Sequence, residues 1–305
     1  MAKSSPYQKP MTPWLGLESL GKQASLPKLG FSVFYFEAGN PDHPAIMMIH
    51  GLGDEADTWR YQIAPLAENH HVIAMDLPGF GRSDHIRQAY TPELMKQSIL
   101  ELMDVLGLEK VTLVGSSLGG ILSQGIAVEH SDRLNGLVLV DGALLQPDRM
   151  DDRSLRMMQI PLVGEAIYTG LRKDPDAAYD SLRMVYHDLD SLPEADRNFL
   201  YTRVNQRVWS NGQRRAYFST LRHLMPWVRK VQAELPEQLA KMKIPTLIIR
   251  GELDELFSAD NAIAIQAVQP DAEIITIAGM GHLPQQEDPS TFNDGLQEWL
   301  NRKGS

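Results

Sequence analysis

The chain has 305 residues, 43% of them hydrophobic, no cysteine and a formal net charge of −10. That length fits one large α/β domain with room for an insertion, and the missing cysteines exclude disulfides, a thiolate nucleophile and cysteine-ligated zinc. The acidic balance argues against nucleic acid, whose phosphates need basic patches. No run approaches the roughly 20 apolar residues of a membrane span, and the N-terminal segment lacks the apolar core of an export signal, so a soluble, cytoplasmic protein is expected.

Residues 1–25 read as an N-terminal extension, with a core expected over 26–145 and 235–305. Phe31 to Glu37 alternates like a half-exposed strand. Ala45 to Ile49 is continuously apolar, as in a strand buried on both faces, and it ends in His50-Gly51-Leu52-Gly53. The glycines let the backbone turn sharply, which offers the Leu52 N–H to a developing negative charge. His50 sits in the turn itself and reads as a structural residue bonding loop backbone. Val72 to Met75 is the next buried run, followed by the glycine-containing turn Asp76 to Ser83. Pro92 to Leu106 then shows helical spacing of Leu94, Ile99, Leu102, Val105 and Leu106.

Val111 to Val114 leads into Gly115-Ser116-Ser117-Leu118-Gly119-Gly120, and Leu118 to His130 reads as a helix. This is G-x-S-x-G between a strand and a helix, the setting in which a serine is held in a strained turn with its Oγ exposed. Ser117 is therefore the candidate nucleophile, and Ser116 falls one position early. The Leu118 N–H, at the start of the helix, is the second candidate oxyanion donor.

Leu137 to Val140 is another buried run and ends at Asp141. From there to about Glu234 no convincing strand follows. Helical stretches such as Ala177 to Tyr186 and Arg197 to Val208 are too long a departure for a plain loop, so 146–234 is expected to be an inserted helical cap. Thr246 to Ile249 resumes the strand pattern and runs into Arg250-Gly251-Glu252-Leu253-Asp254. Ile274 to Ile277 precedes Gly279-Met280-Gly281-His282, and Thr291 to Leu300 reads as a closing helix. A histidine on a glycine-flanked loop after the last strand suits general base work near neutral pH. Its orienting acid should lie between nucleophile and base in the chain. Asp254 and Asp141 both qualify, and Asp254 is favoured because its strand is nearest in sequence to the one that delivers His282.

Strands alternating with helices imply a mainly parallel sheet covered on both faces, with the chemistry beyond the strands' carboxyl ends. Jointly, His50 to Gly53, Asp76 to Ser83, Gly115 to Gly120, Gly251 to Asp254 and Gly281-His282 give the chain a resemblance to the α/β-hydrolase superfamily. That group includes carboxylesterases, monoacylglycerol lipases, C–C hydrolases and epoxide hydrolases. The resemblance implies an α/β-hydrolase fold with an inserted helical cap, and a catalytic set of Ser117, Asp254 and His282. It implies an oxyanion hole from Leu52 and Leu118, and neither metal nor organic cofactor. The substrate is expected to be a small ester with an apolar acyl group. Epoxide hydrolases and haloalkane dehalogenases carry an aspartate where this chain has Ser117, so an alkyl-enzyme ester is not expected. C–C hydrolases of ring-cleavage diketones share the serine but usually have asparagine before it, where this chain has Ser116. They also often carry a cap arginine, for which Arg183, Arg207, Arg214, Arg215 and Arg222 are candidates. A non-enzymatic receptor that keeps the pocket is the remaining alternative. Met157, Met158, Ile160, Leu162, Ile167, Tyr168 and Leu171 are candidates for an apolar cap wall or for packing between cap and core.

Overall fold

The computed structural model describes residues 5–145 and 157–303. Eight strands form one sheet in the order β1-β2-β4-β3-β5-β6-β7-β8. They are β1 (Gly21–Leu26), β2 (Phe31–Ala38), β3 (Ala45–Ile49), β4 (His71–Met75), β5 (Val111–Ser116), β6 (Leu134–Val140), β7 (Thr246–Gly251) and β8 (Glu273–Ile277). The pairs β1–β2 and β2–β4 are antiparallel, and every pair from β4 through β3 to β8 is parallel.

Helices α1 (Ile63–Ala67), α2 (Pro92–Val105) and α3 (Leu118–Glu129) lie along the first half of the chain. Among the described residues, the stretch between β6 and β7 carries α4 (Val163–Gly170), α5 (Pro175–Asp180), α6 (Glu194–Trp209), α7 (Asn211–Val231) and α8 (Leu235–Lys241). The chain closes with α9 (Ala259–Val268), α10 (Pro284–Glu287) and α11 (Pro289–Lys303).

The central strands read as largely apolar runs because helices cover both faces of the sheet. Successive side chains alternate between two cores. Met47, Ile49, Leu113, Leu139 and Ile248 join one cluster with α2 and α3. Ile46, Met48, Val114, Val140 and Ile249 join the other with Trp59, Phe292 and Trp299. Each fully buried side chain of this size contributes about 1.5–3 kcal/mol. Helix α2 starts where Thr91 Oγ1 accepts the Leu94 N–H at 3.2 Å, with Pro92 at its first turn.

The sheet begins earlier than the sequence reading placed it. Gly21–Leu26 pairs with β2 from Gly21↔Phe36 to Leu26↔Phe31, inside the segment read as an extension. As an edge strand it buries only Ala24 and Leu26, so it shows little apolar signal.

The insertion's first part, 146–156, lies outside the described residues, as do 1–4 and 304–305. From residue 157 to β7 the described insertion is helical and has small apolar clusters of its own. Buried ion pairs fasten it to the core. Asp196 accepts from Arg60, Arg203 Nε meets Glu55 at 2.9 Å, and Arg207 holds both Asp54 and Glu55. The N-terminal residues are trapped at the same seam. Thr12 O accepts from Arg203, the Trp14 N–H donates to Asp57 Oδ1 at 2.6 Å, and the Trp14 ring meets Phe199 of α6 edge-on at 4.9 Å.

Candidate active site

Because β3 and β5 are neighbours, with Ile49 opposite Gly115, the loops that leave them are neighbours too. Ser117 is the first residue past β5. Its φ of 53° and ψ of −116° put a non-glycine residue in the left-handed half of backbone space, a conformation that costs on the order of 1–3 kcal/mol and persists only when its surroundings enforce it. The enforcement is visible. A Cβ on Gly119 would lie 2.3 Å from Ile49 O, and one on Gly115 would lie 2.2 Å from Gly119 O, so strand and helix approach as closely as glycine permits. The turn presents Ser117, which is partly exposed, and buries Ser116 completely. Ser116 Oγ accepts from Gln285 Nε2 at 3.3 Å.

Leu118 opens α3, and its N–H has no intrahelical partner because it precedes the first helical hydrogen bond. On the other side, a Cβ placed on Gly51 would stand 3.2 Å from Ser117 Cβ, so the Gly51–Leu52 backbone flanks the serine. His50 is fully buried. Its Nδ1 donates to Gly51 O at 2.7 Å and its Nε2 accepts the Leu77 N–H at 2.9 Å. Burial holds it below the ordinary histidine range, and both ring nitrogens are engaged by backbone, as expected of a structural residue.

The base candidate sits at the far side of the same strand ends. His282 Nδ1 donates to Asp254 Oδ2 at 2.8 Å, and Asp254 Oδ1 accepts the Leu256 N–H at 2.7 Å. Both side chains are buried. Desolvation pushes the Asp254 carboxyl up, but the hydrogen bond and charge of His282 outweigh it and hold Asp254 below the usual carboxylate range. Glu287 shapes the histidine loop by accepting from Gly281 N at 3.0 Å and His187 N at 2.8 Å. The structure thus brings Asp254, of the two aspartates the sequence offered, to His282. Asp141 lies deeper, with φ of 44° at the end of β6, and accepts the Gly251 N–H at 3.0 Å. Ser117 Oγ makes no protein hydrogen bond among the described residues.

The insertion sets an aromatic cluster against the turn after β3, made of Tyr168, which the sequence offered as a candidate, and Tyr217 and Phe218, which it did not single out. Tyr217 of α7 packs on the turn after β3, its ring 3.1 Å from the position a Gly53 Cβ would take. Tyr168 stacks on it at 5.7 Å, and Phe218 meets both edge-on. Of the apolar candidates from the sequence, Met157, Ile160, Leu162 and Ile167 are exposed instead. The five candidate arginines are scattered. Arg183 pairs with Asp180 and Asp190 at the surface, and Arg222 with Glu165. Arg214 donates to Thr169 Oγ1, and Arg215 to Ile86 O. Arg207 alone of the five is buried, and it is held by Asp54 and Glu55. Gln285, Gln286 and Glu287 also escaped the sequence reading, although a polar run straight after the His282 loop was the available signal.

The family model of the alpha/beta hydrolase fold matches residues 44–289. The chain belongs to the alpha/beta hydrolase family. Among its relatives in that family is the 2-hydroxy-6-oxo-6-(2'-aminophenyl)hexa-2,4-dienoic acid hydrolase of Metapseudomonas resinovorans, 28% identical over 90% of this chain and 89% of its own. The 2-hydroxy-6-oxo-6-phenylhexa-2,4-dienoate hydrolase of a Rhodococcus species superposes with a TM-score of 0.73 at 22% identity, covering 89% of this chain and 95% of that one. A putative lipase from Acinetobacter baumannii superposes with a TM-score of 0.77 at 19% identity, covering 93% and 91%. Hydrolysis is the function common to these alpha/beta hydrolase likenesses. They do not divide esters from carbon–carbon bonds.

Proposed function

We propose that the chain is a serine hydrolase of carboxylic esters with an uncharged, largely apolar acyl group. The observation that carries the reading is the strained Ser117 turn, together with a histidine oriented by a buried carboxylate on the loop after β8, whose Gln285 reaches the neighbouring Ser116. Ser117 Oγ attacks the ester carbonyl as His282 takes its proton. The Leu52 and Leu118 N–H groups receive the oxyanion, worth about 2.7–4 kcal/mol per donor. His282 returns the proton to the leaving alcohol, then activates water to cleave the acyl-enzyme. Asp254 keeps the imidazole in the tautomer whose Nε2 faces the serine. Residues 146–234 act as a cap over the 26–145 and 235–305 core, with Tyr168 and Tyr217 forming the wall beside Gly53. The reaction needs no metal or organic cofactor.

The state of Arg207 supports a neutral substrate. Its guanidinium is buried, but two carboxylates already neutralise it, which leaves it a poor receptor for a substrate anion. A second reading, hydrolysis of a carbon–carbon bond in a ring-cleavage diketone, is favoured by what the Metapseudomonas relative is named for. It would use the same serine and histidine.

The test is hydrolysis of p-nitrophenyl esters from acetate to palmitate by wild type and Ser117→Ala. Wild type should turn over, and the variant should fall by more than about 10³-fold and by at most about 10⁶-fold. Absence of turnover on every ester, with cleavage of a vinylogous diketone acid instead, would move the second reading ahead.

A further inference from the structure

Behind the His282–Asp254 pair lies an acid that the proposed mechanism does not use. Asp141 is fully buried at the end of β6, one strand over from β7, with Val140 opposite Ile249. Its backbone is held at φ 44° with its N–H on Ile249 O at 3.1 Å. One face of its carboxyl accepts the Gly251 N–H. Its other neighbour is Asp254, on the loop that leaves the adjacent strand β7, and the two carboxyl groups bear on each other's ionisation. Two carboxyl groups can share a hydrogen bond only if one of them holds a proton. The assignment of that proton follows from the surroundings. Asp254 already accepts from His282 Nδ1 and from the Leu256 N–H, and both donors favour its charged form. Asp141 has one backbone donor and no cation in direct contact.

We propose that Asp141 is a positioning residue whose carboxyl O–H donates to the Asp254 carboxylate and holds it in line with His282. The inference rests on the serine hydrolase reading above. Desolvation, reinforced by the Asp254 charge, pushes Asp141 well above the usual carboxylate range, while the Gly251 N–H and the more distant Arg250 pull the other way. Like charges this close cannot both ionise readily, so the pair titrates as a unit with one proton retained at neutral pH. The extra donor gives Asp254 a third hydrogen bond. It also takes part of the carboxylate's charge, which keeps the base from being over-stabilised as imidazolium. Asp141 reaches the reacting atoms only through Asp254 and His282.

The experiment compares wild type with Asp141→Asn and Asp141→Leu. Asparagine supplies an N–H donor where the carboxylic acid supplied an O–H and carries no charge at any pH. It should keep kcat/KM within about threefold of wild type and leave the acid limb of its pH profile in place. Leucine removes donor and acceptor together, and it should lower kcat by at least about tenfold with little change in KM, as misplacement of a base does. Were Asp141 ionised in wild type, asparagine would delete a negative charge near the base and move the acid limb down by more than about half a pH unit; that shift overturns the proposal. A second readout needs no turnover and does not depend on leucine being tolerated. At pH 7 the infrared difference spectrum between wild type and Asp141→Asn should show loss of a protonated-carboxyl stretch, confirmed by isotope-labelled aspartate. No such band in wild type also overturns it. Failure of the ester assay with this band present would fault the reaction reading and leave the proton on Asp141.

Discussion

His50 shows how one side chain's surroundings decide between chemistry and architecture. A histidine beside a glycine turn at a strand end has the composition of a catalytic base, but here its two nitrogens bridge Gly51 O and Leu77 N. Replacing it with alanine leaves a buried acceptor and a buried donor without partners, at about 1–3 kcal/mol each. Its protonation also has a definite sign. Burial depresses its folded-state pKa, so above the unfolded value of about 6.5 both states are neutral and the full stability is present. As pH falls below that, the unfolded chain takes up a proton that the folded chain refuses, and stability drops until the folded pKa is reached. The melting temperature of wild type should therefore decline between pH 6.5 and 5 more steeply than that of His50→Gln. Equal slopes in the two proteins would show that His50 charges freely in the fold. The contrast with His282 lies in its partner: a carboxylate on Nδ1 leaves Nε2 available, whereas backbone on both nitrogens leaves nothing.

At the scale of elements, the seam between α6 and the loop after β3 is the feature least expected from sequence. Helix α6 is rich in charge, and such helices ordinarily face water. Arg203 and Arg207 instead run inward to Glu55 and Asp54, and Asp196 runs inward to Arg60. Desolvation opposes Arg207's charge, and Glu55 and Asp54 more than restore it. Burial likewise opposes Glu55's charge, yet Arg207 and Arg203 hold Glu55 at about 2. Its pKa is lowered on folding, so its contribution is present above the ordinary carboxylate range and fades as pH falls toward 2. Arg207→Ala strips one cation from this carboxylate and should cost about 3–5 kcal/mol in urea unfolding at neutral pH. A loss below about 1 kcal/mol would show the pair to be solvated rather than buried. The strands were legible for the opposite reason. Ala45–Ile49, Val111–Ser116 and Thr246–Gly251 are buried throughout and mostly apolar because both faces are covered, and the run of apolar residues reports that directly. β1 was missed because an edge strand packs on one face, leaving Lys22 and Gln23 to read as extension. The pairing of α6 with the β3 loop joins residues about 150 apart in sequence (Glu55 with Arg207), and no local pattern encodes it. The same limit applies to Asp141 and Asp254. Each is visible as a strand-end acid, but their contact exists only once β6 and β7 lie side by side.

For the whole molecule, five neighbouring parallel strands end on the same side of one sheet. In the proposed mechanism the loops after β3, β5, β6, β7 and β8 bring in turn the Leu52 N–H, Ser117, Asp141, Asp254 and His282. The insertion is fastened to the core by buried charge and by the Trp14 segment. We propose that the strain at Ser117 exists to expose a nucleophile. This is tested most directly by treating the native protein with a fluorophosphonate and locating the adduct by peptide mass mapping. One adduct per chain is expected, carried by Ser117, formed at a rate that falls on protonation of the base and absent in Ser117→Ala. Labelling at Ser116 or another serine, or an unlabelled protein that still hydrolyses esters, would contradict it.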